Sequence, residues 1–140
     1  MTVHDTYNYT RRVVYADCTL GNHVYYSRYF DMLEWARGEM FRNLGHSFFD
    51  LQNQGFIFPV AEVSGKYYGP VHYDNLVEIR TWLIELSNVR LHFAYKLILE
   101  DKTVIMEAKT LHACTSTLNN RMVRIPDELR KDLRRFLEVN

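Results

Sequence analysis

The stretch from Tyr15 to Arg37 constrains this 140-residue chain most tightly. A polar turn broken by Gly21 runs there directly into a helix-forming segment. Tyr7–Tyr15 is rich in β-formers and predicts a first strand. The spacing of Tyr29, Phe30, Met32, Leu33, Ala36, Met40, Phe41 and Leu44 predicts a helix over Ser27–Leu44, stopped by Gly45. These apolar residues cover more than one narrow stripe, so other structure must wrap most of the helix. A strand that delivers a turn into a helix N-terminus aims backbone N–H groups at the turn, where they stabilise negative charge.

After one short helical turn at Ser47–Asn53, the period of the apolar residues changes to two. Phe58–Tyr68, Leu76–Leu86, Leu91–Leu99 and Thr103–Thr117 then read as strands. Ser87-Asn88 and Glu100-Asp101-Lys102 supply tight turns between the later ones, which makes those strands antiparallel neighbours. The length of two of them suits a sheet that curls around something. Pro126, with Asp127 and Glu128 behind it, opens a short C-terminal helix. Strand, long helix, then consecutive antiparallel strands make an α+β domain with the helix packed on one sheet face. No linker or repeat divides the chain, so residues 1–140 are expected to form one domain.

Composition removes several classes of function. The 17 basic and 17 acidic side chains cancel, so no global field favours nucleic acid or an anionic membrane. No apolar run approaches the ~20 residues of a membrane helix, and Met1–Tyr7 is polar, unlike a signal peptide. Cys18 and Cys114 lie outside any paired motif and fit free thiols in a reducing cytoplasm. No pair of histidines has metal-ligand spacing, so no metal is expected. The 10 Tyr, 8 Phe and 2 Trp suit a large apolar pocket or an interface, as well as a core.

Several motifs, in order, carry a family resemblance. They are Tyr15-x-Asp17 through Gly21, His23-Val24-Tyr25-Tyr26-x-x-Tyr29, and Glu34-x-Ala36-Arg37. Tyr67-Tyr68-Gly69-Pro70, Tyr73-Asp74-Asn75-Leu76 and Val123-x-Ile125-Pro126 follow. Together they resemble the 4-hydroxybenzoyl-CoA thioesterase/YbgC-like family of the hotdog fold, over nearly the whole chain. The resemblance implies an antiparallel sheet curled around one long central helix. It also implies hydrolysis of an acyl-CoA thioester, with coenzyme A bound as part of the substrate and no separate cofactor. The pocket would cross the interface of a homodimer or homotetramer.

Carried over by position, the thioester carbonyl would meet the backbone N–H of Tyr26. Asp17 matches the first acid of the family's Asp-x-Asp pair, and Thr19 stands where the family has its catalytic aspartate. A threonine hydroxyl cannot act unaided as a base at neutral pH, and general-base help is typically worth about 10²–10⁴-fold. Asp17 is the first candidate to replace it, through a bridging water, although a turn aspartate also serves by accepting backbone hydrogen bonds. His23 is the second candidate. Cys18 invites a nucleophile reading but lacks a clear paired base. His112, in register with Met106, Ala108 and Thr110, is expected to face the helix side, and Tyr25 and Tyr26 to line the pocket. Lys66, Asn88, Arg90, Arg121 and Arg124 are the candidates for the phosphates of coenzyme A. A non-hydrolytic acyl-thioester binding protein is the alternative reading, because of Thr19. A dehydratase has less support, since the turn before the helix matches the thioesterase branch.

Overall fold

The structure, a computed structural model, describes residues 4–139. The first strand, β1 (Tyr7–Arg12), ends three residues earlier than the sequence suggests, because Tyr15–Asp17 closes into a 3-10 turn. Helix α1 (Arg28–Asn43) follows, then α2 (Phe48–Asn53), whose N-cap Ser47 accepts a hydrogen bond from Asp50 N. The remaining elements are β2 (Phe56–Ile57), β3 (Val60–Tyr67), β4 (Leu76–Leu86), β5 (Arg90–Leu99), β6 (Val104–Ala113), β7 (Thr115–Ser116) and α3 (Asp127–Leu133).

Five strands form one antiparallel sheet in the order β1-β4-β5-β6-β3, and β2 pairs with β7 in a second, two-stranded sheet. The expected Thr103–Thr117 strand is therefore split, and the expected Phe58–Tyr68 strand begins two residues late, with β2 a separate short strand before it. Phe58-Pro59 separates β2 from β3, since proline has no N–H for a ladder. Cys114 separates β6 from β7, its N–H bonded instead to Val89 O at 2.8 Å.

Tyr29, Met32, Leu33, Ala36, Arg37, Met40 and Phe41 are the buried residues of α1, at the three- and four-residue spacing of one helix face. That face lies against β1 and β4 and joins a core with Ile79, Leu83, Phe93, Leu97 and Met106. The helix ends in a Schellman motif: Gly45, at φ +84°, donates to Arg42 O and His46 N donates to Phe41 O at 2.9 Å. Helix α3 buries Leu129 and Leu133, and the chain beyond it returns to β4 through Glu138 N to Leu83 O at 2.7 Å. Edge strand β3 differs from its neighbours, because all eight of its residues are exposed.

Candidate active site

The turn before α1 is a small hairpin. Cys18 bridges Val24 in antiparallel fashion, Thr19 N donates to His23 O at 2.9 Å, and Tyr25 N donates to Asp17 O at 3.2 Å. Gly21 and Asn22 form its tip at φ +88° and +59°, the left-handed region that glycine and asparagine tolerate best. A second loop clamps it: Val24 N donates to Val71 O at 2.8 Å and Tyr73 N to Asn22 O at 2.7 Å. Two tyrosines then fix the start of the helix. The Tyr29 hydroxyl accepts from Val71 N at 3.2 Å, and the Tyr67 hydroxyl donates to Tyr26 O at 3.0 Å.

This arrangement gathers Asp17, Thr19, His23 and Tyr26 into one loop beside a helix N-terminus. Tyr26 N–H and Ser27 N–H find no acceptor among the described residues, and both residues are exposed. Thr19 is exposed as well. Asp17 is not. It is 5% exposed, and Oδ2 accepts from Val14 N at 3.1 Å, so its carboxylate closes the 3-10 turn. Cys18, the residue between Asp17 and Thr19, is extended, so what separates the two is burial: the Asp17 carboxylate is drawn into the turn before it, while Thr19 stays at the surface. His23 is half-buried, and its Nδ1 is sealed from solvent without a partner among the described residues. Burial, with the Asp17 carboxylate adding to it, raises the Cys18 thiol pKa, which opposes a thiolate nucleophile.

The phosphate candidates divide. Asn88, Arg90 and Arg124 collect where the β4–β5 turn meets the segment before α3, since Ile125 N donates to Asn88 O at 2.8 Å and Arg90 pairs with Ala113. Arg121 instead lies beside β7, where its carbonyl accepts from Ser116 N at 2.8 Å. Arg90 and Arg124 each have an exposed acidic neighbour, Glu85 at 3.8 Å and Asp127 at 3.3 Å. Lys66 lies elsewhere, opposite Glu107 on β6 and next to Tyr67. Six residues of β6 separate the levels of Glu107 and Ala113, roughly 20 Å of strand. Among the described residues no cluster of three or more His, Cys, Asp or Glu could hold a metal.

A cavity of about 270 Å³ opens between α1, α2 and the Phe56–Val60 segment. Its walls are largely aromatic, with Phe41, Phe48, Phe58 and Phe93 among them, but Glu34, Arg37 and His112 also line it. Arg37 and His112 are the ends of a buried polar chain. Arg37 Nη1 donates to the Tyr95 hydroxyl at 3.1 Å, which lies 2.6 Å from Thr110 Oγ1. Thr110 Oγ1 lies 2.8 Å from His112 Nε2, and His112 Nδ1 is 2.9 Å from Phe58 O. Both ends fix the direction of every proton. A guanidinium only donates and a carbonyl only accepts. Each hydroxyl must therefore pass its hydrogen onward, from Tyr95 to Thr110 and from Thr110 to neutral His112. Burial, and secondly the Arg37 charge, lower the His112 pKa to about 4, consistent with a neutral ring. His112 faces the helix side, as its register suggested. Arg37 was visible in the sequence only within a motif. Its sole advance signal was an arginine at a spacing otherwise filled by core residues.

Known proteins of similar sequence and shape bear on what this loop and cavity serve. The YbgC acyl-CoA thioester hydrolase of Escherichia coli is 29% identical over 118 residues, 84% of this chain and 88% of its own. A hypothetical protein of Aquifex aeolicus superposes with a TM-score of 0.85 at 30% identity, covering 90% of this chain and 98% of its own. A 1,4-dihydroxy-2-naphthoyl-CoA thioesterase from Synechocystis shares the fold, with a TM-score of 0.86 at 19% identity over 92% of this chain and 96% of its own. The profile of the thioesterase-like superfamily matches residues 13–133, from the end of β1 through α3, and the chain belongs to that family.

Proposed function

We propose that this protein hydrolyses an acyl-CoA thioester at the N-terminus of α1. The observation that carries the reading is the pair of uncommitted N–H groups at Tyr26 and Ser27, held at a helix start by Tyr29 and Tyr67 in a chain of the thioesterase-like family. A thioester carbonyl placed against Tyr26 N–H would gain charge as water adds to it. Fixed donors and the helix dipole favour that charge without reorganising. Oxyanion formation is thus supplied by backbone, and its geometry does not depend on residue 19.

Activation of water is the weaker half of the site. Thr19 can orient a water but not deprotonate it, and Asp17 commits one oxygen to Val14 N. The hydrolysis proposed here is consequently slow, with Asp17 or His23 as the proton acceptor. The same two observations favour a second reading, in which the protein binds acyl-thioesters without turning them over. Incubation with short, medium, long and aromatic acyl-CoAs beside a thiol reagent separates the two. Catalysed release of free CoA supports hydrolysis, and saturable binding without release supports the carrier.

Coenzyme A phosphates would sit near Asn88, Arg90, Arg121 and Arg124, or near Lys66, which lies at the Tyr26 end of the sheet. We further propose that the sheet wraps α1 in the hotdog manner and that β3 meets a second copy in a homodimer or homotetramer. An unpaired eight-residue edge strand, exposed throughout, is the part of the sheet most suited to such pairing. Among the described residues no helix is long and apolar enough to cross a membrane. A cytoplasmic setting would keep both cysteines as the free thiols seen here.

A further inference from the structure

Arg37 presents a problem that the thioester chemistry does not solve. It is only 8% exposed, yet no carboxylate lies within 4 Å of its guanidinium among the described residues. Buried charges are normally paired, since desolvation without a counter-charge is costly. Of five N–H donors one goes to Tyr95, a neutral phenol, and the residue lines an aromatic cavity. His112 offers no relief, because both of its nitrogens are occupied. Glu34 stands three residues earlier on the same cavity but at its exposed rim, where water screens its charge.

The cavity also lies on a track from the proposed reaction centre. Phe30, Glu34, Arg37 and Phe41 follow one another at three- and four-residue spacing on one face of α1, and Phe30 is 39% exposed. Strand β3 touches both ends of this stretch, with Tyr67 hydrogen-bonded to Tyr26 at one and Val60 lining the cavity at the other. Eleven residues separate Tyr26 from Arg37, roughly 16 Å at ~1.5 Å per residue. A cavity of about 150 Å³ holds one benzene ring. The 270 Å³ here accommodates a ring or short chain with its end group.

We propose that this cavity is the distal acyl subsite, and that it selects acyl groups ending in a carboxylate, which Arg37 receives. A carboxylate matches the planar guanidinium fork with two parallel hydrogen bonds and supplies the missing counter-charge. The apolar body of the acyl group would lie along Phe30 and the aromatic walls. This assignment rests on the hydrolase reading for its relation to Tyr26, but the cavity can be tested without turnover.

The test compares ω-carboxyacyl-CoAs with plain acyl-CoAs of equal length, using the wild-type protein. The ω-carboxy series is expected to lead by at least about tenfold in kcat/KM, the discrimination one charge-assisted hydrogen bond provides. In Arg37→Gln that ratio should collapse toward one, in Arg37→Lys it should be intermediate, and in Glu34→Gln it should grow. Equal rates for the two series, or a faster plain series, overturn the proposal whether or not the variants fold. If neither series releases CoA, the hydrolase reading fails, and calorimetric titration of wild type with the free dicarboxylic acids decides the cavity. Binding that Arg37→Gln abolishes supports it, and no binding overturns it.

Discussion

Replacing Tyr95 by phenylalanine removes one oxygen and keeps the ring, so it interrogates the buried polar chain without opening a cavity. The hydroxyl is fully buried, accepts from Arg37 at 3.1 Å and lies 2.6 Å from Thr110. Arg37 would lose an acceptor for a charged donor, worth about 1.5–3 kcal/mol, and Thr110 would lose a neutral bond worth about 1 kcal/mol. Water entering from the adjoining cavity could recover part of the first loss. A destabilisation of about 2–4 kcal/mol follows. At ~2.1 cal/mol/K of unfolding entropy per residue, a chain of this length should then melt roughly 7–14 °C lower. Thermal and urea unfolding at fixed protomer concentration measure it, since assembly would otherwise shift the midpoint. Tyr7→Phe is the control: its hydroxyl accepts from Asn43 in an exposed hydrogen bond and should cost under about 1 kcal/mol. If Tyr95→Phe were no more destabilising than Tyr7→Phe, the one-directional chain would be energetically idle and the reasoning refuted.

Three further outcomes are expected. The folded His112 pKa is about 4 against an ordinary 6.5, so the unfolded chain takes up a proton first as pH falls. The stability this histidine contributes is complete above about pH 6.5 and is lost between there and pH 4. At ~1.36 kcal/mol per pH unit the loss is roughly 3 kcal/mol, and urea titrations should show it in wild type but not in His112→Gln. Thr19→Asp puts a carboxylate beside an unaltered backbone donor and should raise the rate of CoA release by up to about 10²-fold; a folded variant no faster than wild type would refute the account of residue 19. Sedimentation equilibrium should find a dimer or larger assembly, and a stable folded monomer at micromolar concentration would count against pairing through β3.

Much of the architecture was legible because local signals and packing agree. Apolar spacing in α1, the Gly45 stop, the alternation along β4 to β6 and the turns between them all correspond to observed elements. Strand order was less accessible, since nothing in β1 or β3 names β4 or β6 as its partner. Pro59 carried the signal for the break between β2 and β3, but the surrounding aromatics masked it. At the site, the loop's position before a helix was readable, and the fate of individual side chains was not. Asp17 turns inward to cap Val14, an outcome decided by the 3-10 turn rather than by residue type. Lys66 separates from the arginines because register, not sequence distance, sets the neighbours of a strand residue. Arg37 and its chain of hydroxyls required three elements to meet, which no local pattern encodes.

The central claim is that thioester hydrolysis depends on the backbone N–H of Tyr26. Tyr26→Pro deletes that donor, and Tyr26→Ala, which keeps the N–H, controls for loss of the ring that packs on Tyr25. Because the N–H has no acceptor among the described residues, no internal hydrogen bond is lost, and Tyr26 precedes the N-cap Ser27, outside the helix's own hydrogen-bond ladder. The decisive measurement is the single-turnover rate of CoA release by this variant beside wild type, with circular dichroism confirming the fold. A fall of about 10²–10³-fold, the usual cost of one oxyanion donor, is the result expected. A folded Tyr26→Pro protein that releases CoA as fast as wild type would contradict the account.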